Sequence, residues 1–145
     1  MDWNKDKSIR LSLICVYVFA AILLALDVLT PIVASWFGGM TRLGLAVVLT
    51  VYCGSAAAWP CLWLLRKLLL NVRGGNVFVP ENVRYMRYIS WCCGAAAFIC
   101  LIGACLYFPV IVIAVSAAFM MLIVRIVKNA FQQAIDMKSE LELTI

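Results

Sequence analysis

Histidine is absent from this chain, and charge is scarce: 12 Lys and Arg and 7 Asp and Glu among 145 residues. Without imidazole, the most frequent general base and metal ligand is missing. No carboxylates pair inside an apolar segment and no nucleophile stands beside a base, so the requirements of an enzyme site are unmet and the chain reads as non-enzymatic. No CxxC spacing occurs either. The seven cysteines, Cys15, Cys53, Cys61, Cys92, Cys93, Cys100 and Cys105, lack metal-site spacing and mixed ligands, so no metal or cofactor is expected. They read as small apolar residues. No helix-turn-helix recognition unit is evident, and direct nucleic-acid binding is not expected despite the formal charge of +5.

What is abundant is apolar sequence. Hydrophobic residues make up 66% of the chain and charged residues 13%, against about half and about a quarter in soluble domains. Mean hydropathy is +1.05. Crossing a ~30 Å hydrocarbon core takes ~20 apolar residues. One such run covers residues 11–30, interrupted only by Asp27 and closed by Thr30-Pro31; a second, uncharged and kinked at Pro60, covers 43–65. A third, residues 89–124, has no charge over 36 residues. As one helix it would be ~54 Å long, too much for one crossing. Pro109 near its middle suits the first turn of a new helix, which divides the run into spans 89–106 and 109–127. The first run exceeds a signal-peptide core and is followed by no convincing cleavage site, so it reads as a retained span.

Charge position supports four spans. Lys5, Lys7 and Arg10 precede the first; Arg66, Lys67, Arg73, Arg84 and Arg87 lie in the connection 66–88; Arg125, Lys128 and Lys138 follow the fourth. Of all the basic residues only Arg42 falls on the other side. The positive-inside rule then makes both termini, the 66–88 loop and the 128–145 tail cytoplasmic. The expected fold is an all-α integral membrane protein: one four-helix transmembrane bundle with an amphipathic extension of the fourth helix, in the cytoplasmic membrane. Trp36, Phe37, Tyr107 and Phe108 suit an aromatic belt at the outer interface.

Small residues recur at every fourth position in Ala46, Thr50, Gly54, Ala58 and again in Cys92, Ala96, Cys100, Ala104. Such ridges let membrane helices approach closely. They suit contacts within the bundle, with a homo-oligomer seam as the other use. Asp27 is the one acidic residue inside a span, and an intramembrane carboxylate is a functional candidate. Some 24 Å along the helix from Leu11, it is expected near the outer edge of the core. There it meets interfacial water or pairs with Arg42; a proton- or substrate-coupling site in a small transporter or its accessory subunit is the rival reading.

The stretch "RGGNVFVPENVRYMRY" (73–88) is the polar exception. Gly74-Gly75 suits a helix stop, residues 77–79 an extended segment, and Pro80-Glu81 the first turn of the next helix. The tail, "VRIVKNAFQQAIDMKSE", places Val124, Val127, Phe131 and Ile135 on one helical stripe. Beyond Lys138, Leu141, Leu143 and Ile145 alternate with polar residues as in a strand. Loop and tail together suit a fixed cytoplasmic platform for a soluble protein. Arg84 and Arg87 are its charged contacts, with Phe78, Phe131, Ile135 and Leu141 as apolar ones. The bland alternative is a topology signal, with the tail packed on the loop or the bilayer surface.

The segment "GGNVFVPENVRYMRYIS" resembles the G-x-P-F-x-x-E-N-x-x-x-L-R-x-I segment of bacterial four-span proteins grouped as domain of unknown function 2975. The ending "RIVKNAFQQAIDMKSELELTI" resembles that family's closing amphipathic helix, acidic stretch and final L-T-I. Val77 stands where the family often has Pro, and Glu140-Leu141-Glu142 replaces its acidic E-N-D. The resemblance implies a bacterial membrane protein often encoded beside a small helix-turn-helix transcription regulator. A regulator of that kind becomes the expected partner, bound or sequestered at the platform.

Overall fold

The computed structural model describes residues 3–36 and 41–144. Phe37 and Ile145, named above, lie outside the described residues. Four helices follow one another: α1 Trp3–Trp36, α2 Arg42–Arg73, α3 Pro80–Leu106 and α4 Ile111–Thr144, with a 3-10 turn at Phe108–Val110 between the last two. All four are long and apolar enough to cross a bilayer. A helix pairs most of its backbone polar groups within itself, which a segment in hydrocarbon requires.

Packing is sequential. α1 lies on α2, α2 on α3 and α3 on α4, and among the described residues α1 makes no close backbone approach to α4. The bundle is thus an open row rather than a closed ring. Small residues, some from the ridges and some beside them, lie where the helices meet. Ala46 and Cys100 are buried, and Gly103 of α3 sits directly against Thr50 of α2, where a Cβ would come within 2.6 Å of the Thr50 hydroxyl. On the other side of α3, Gly94 faces the Met121 thioether of α4.

Three sequence expectations change. α1 does not end at Thr30-Pro31 but continues through Pro31 to Trp36. Proline removes the amide that would have bonded the carbonyl four residues back, here that of Asp27. Tyr52 of α2 donates its hydroxyl to that carbonyl at 3.3 Å, and a neighbouring helix that satisfies the freed group lets a membrane helix tolerate proline. The strand-like alternation of the tail is also not realised. α4 runs on to Thr144, because a helix already nucleated in the span extends one hydrogen bond per residue.

The third change concerns Asp27. Arg66 donates from Nε to the Tyr17 hydroxyl at 3.0 Å, and Lys67 stacks over the Trp63 ring at 3.8 Å. Such pairing of basic and aromatic side chains is usual where a helix leaves hydrocarbon. Asp27 lies ~15 Å beyond Tyr17 along α1 and ~13 Å before Trp36. Because α1 continues to Trp36, Asp27 lies well inside the helix and not near its end.

Candidate functional site

The connection between α2 and α3 is short and locked. Gly74 caps α2, its amide bonding the Leu70 carbonyl at 3.0 Å, and Gly75 takes a left-handed φ of 84°. Asn76 then returns its amide to the Asn71 carbonyl at 3.1 Å. Val79 is extended and Pro80 opens α3. Asn82, wholly buried, holds the turn. Its Nδ2 donates to the carbonyls of Asn76 and Val77 at 2.8 and 2.9 Å, and its Oδ1 accepts from Asn71 Nδ2 at 3.0 Å. One side chain thus ties the end of α2, the turn and the start of α3 together.

The turn is docked on α4. The Phe78 and Phe131 rings lie 5.8 Å apart with planes at 39°, a tilted aromatic contact. The two rings therefore meet each other at the surface, Phe78 being 47% exposed. Ile135, one turn further along α4, is half-buried. Arg84 is exposed on α3. Leu141 lies apart from this cluster, 65% exposed beside Met137 at 59% and Leu143 at 86%. Residues 128–144 continue α4 by ~25 Å. Its distal part, 136–144, carries Asp136, Glu140 and Glu142 against the one basic residue Lys138.

Arg87 has different company. It lines a cavity of about 340 Å³ between α3 and α4 with Ser90, Trp91, Arg125, Lys128 and Asn129. The sequence contained a signal for this grouping: each helix supplies residues at i, i+3 and i+4, at similar distances from their shared turn. Antiparallel packing brings the two sets level.

Between α1 and α2, the two Asp27 carboxylate oxygens are met from α2. Ser55 donates to Oδ1, and Trp59 donates from Nε1 to Oδ2 at 3.3 Å. Arg42 is not among its partners. It opens α2 thirteen residues before Ser55, about 20 Å away along the helix. Ser55 and Trp59, separated by one turn, went unnoticed in the sequence because each is unremarkable alone. Among the described residues no group of three His, Cys, Asp or Glu side chains is placed to hold a metal.

A family model described as Protein of unknown function (DUF2975) matches residues 8–145. No curated protein and no solved structure matches the chain.

Proposed function

We propose that this chain, which belongs to the DUF2975 family and is a multi-pass membrane protein, serves as a membrane-bound docking platform for a small cytoplasmic helix-turn-helix regulator. The positive-inside rule assigns the basic end to the cytoplasm. The observation that carries the reading is the helical extension of α4, which presents exposed Met137 and Leu141 one turn apart beside Asp136 and Glu140. A DNA-binding regulator displays a basic surface shaped for phosphates. An acidic helix with an apolar stripe complements such a surface and competes with DNA for it. The Asn82 lock and the Phe78–Phe131 contact support the base of that helix, so little ordering entropy is lost on binding.

Photo-crosslinking from position 141 in native membranes tests this. A helix-turn-helix protein trapped from position 141, and not from lipid-facing position 119, is the expected result. Crosslinks to lipid alone would refute it.

The second reading, transport through Asp27, draws support from its position well inside α1. Against it stands the engagement of both carboxylate oxygens by α2, which suits a fastener between α1 and α2. The Asp27→Asn variant separates the two, as set out in the Discussion.

A further inference from the structure

Three cationic side chains from two helices converge on the cavity between α3 and α4: Arg87 from α3, and Arg125 and Lys128 from α4. No carboxylate lines it, and among the described residues none of the three cations has an acidic partner. A topology signal accounts for basic residues at this depth. It does not account for their meeting around one cavity, an arrangement that creates a positive potential suited to an anion. Ser90 supplies a second observation. It is 3% exposed, lines the same cavity, and its hydroxyl has no hydrogen-bond partner. Buried hydroxyls are nearly always satisfied, so an orphan beside three cations points to a missing acceptor.

We propose that this cavity binds a phosphate group, with the Arg87 and Arg125 guanidiniums as forked donors, Lys128 as a point charge and the Ser90 hydroxyl as a further donor. Guanidinium matches phosphate oxygens in pairs. The cavity, about 340 Å³, falls in the range of ligand clefts, ~300–1,000 Å³, and so admits a phosphate with its organic substituent. Trp91, 63% exposed at the rim, offers an apolar face to that substituent. The site lies where the spans meet the basic end, the level of lipid headgroups. An anionic phospholipid and a soluble phosphate ester share the required chemistry. The inference is independent of the docking reading, since it concerns a different face and a different ligand.

The test uses the full chain, delipidated in detergent and reconstituted in nanodiscs. One arm contains phosphatidylcholine alone, a second adds phosphatidylglycerol, and a third is phosphatidylcholine discs with glycerol 3-phosphate in solution. Bound species are counted by native mass spectrometry, and thermal midpoints are recorded in parallel. The wild type is compared with R87Q/R125Q, with S90A, and with the charge-matched R10Q/R73Q away from the cavity. Retention of one phosphatidylglycerol by the wild type and R10Q/R73Q, weakened at least about tenfold in R87Q/R125Q, establishes the site with lipid as its source. The same pattern in the third arm establishes it with a soluble ester. S90A keeps the fold and binds more weakly in either case. Equal binding by wild type and R87Q/R125Q in every arm, or no binding by the wild type, overturns the proposal.

Discussion

The Tyr52 hydroxyl reaches across from α2 to the backbone carbonyl of Asp27, the carbonyl that Pro31 leaves without its helical amide. A side chain of one helix thereby repairs the backbone of its neighbour, and α1 runs unbroken to Trp36 despite its proline.

That repair makes a double-mutant prediction. Tyr52→Phe should destabilise the chain by about 1 kcal/mol, in the range of interhelical hydrogen bonds in membranes. Pro31→Ala restores the missing amide, so in that background Tyr52→Phe should cost little. Reversible unfolding of the four variants in detergent gives the coupling directly, and an equal Tyr52→Phe cost in both backgrounds would rule the repair out.

The α2–α3 contact yields a contrast between two glycines. Gly103→Ala forces a methyl group against Thr50 and should cost about 1–3 kcal/mol, the usual scale for overpacking. Thr50→Ala should recover most of it. Gly54→Ala meets nothing within 4 Å and should leave the thermal midpoint unchanged. Equal midpoints for Gly103→Ala and Gly54→Ala would mean that α2 and α3 cross elsewhere.

Asn82 is expected to act locally. Replacing it with Ala removes donors from the carbonyls of Asn76 and Val77 and an acceptor from Asn71, at a cost of about 1–3 kcal/mol for each buried group left unpaired. Hydrogen exchange should rise sharply at residues 74–82 while the middle of α3 stays protected. Uniform exchange throughout α3 would show instead that the lock is global.

For Asp27→Asn, the amide oxygen can accept from Trp59 Nε1 while the amide nitrogen donates to the Ser55 hydroxyl, so insertion and folding should persist. If Asp27 is a fastener, whole-cell export of cationic dyes in the native host should not change. Loss of a measurable export activity, with the protein correctly inserted, would move the function to Asp27.

Much of the fold was legible in the residues themselves. Apolar run length and charge position gave the span count, and Gly74-Gly75 with Pro80 located the helix stop and restart that the structure shows. Two features were illegible for the same reason. Whether Pro31 ends a helix depends on Tyr52, twenty-one positions away, and the depth of Asp27 depends on how far α1 then continues. Tertiary partners decide both. The tail misled in another way: Leu141, Leu143 and Ile145 alternate over too short a stretch to outweigh a helix already under way. The cavity around Arg87 was readable in principle from matched spacings on α3 and α4, but only once their antiparallel register was known.

The central claim is that the α4 extension holds a DNA-binding regulator at the membrane. The most direct measurement is the fraction of that regulator recovered with native membranes, for the wild type and for E140K/E142K. The account predicts membrane recovery with the wild type and release to the soluble fraction with the charge-reversed tail, at equal levels of inserted protein. A regulator equally soluble in both, or equally bound in both, would contradict it.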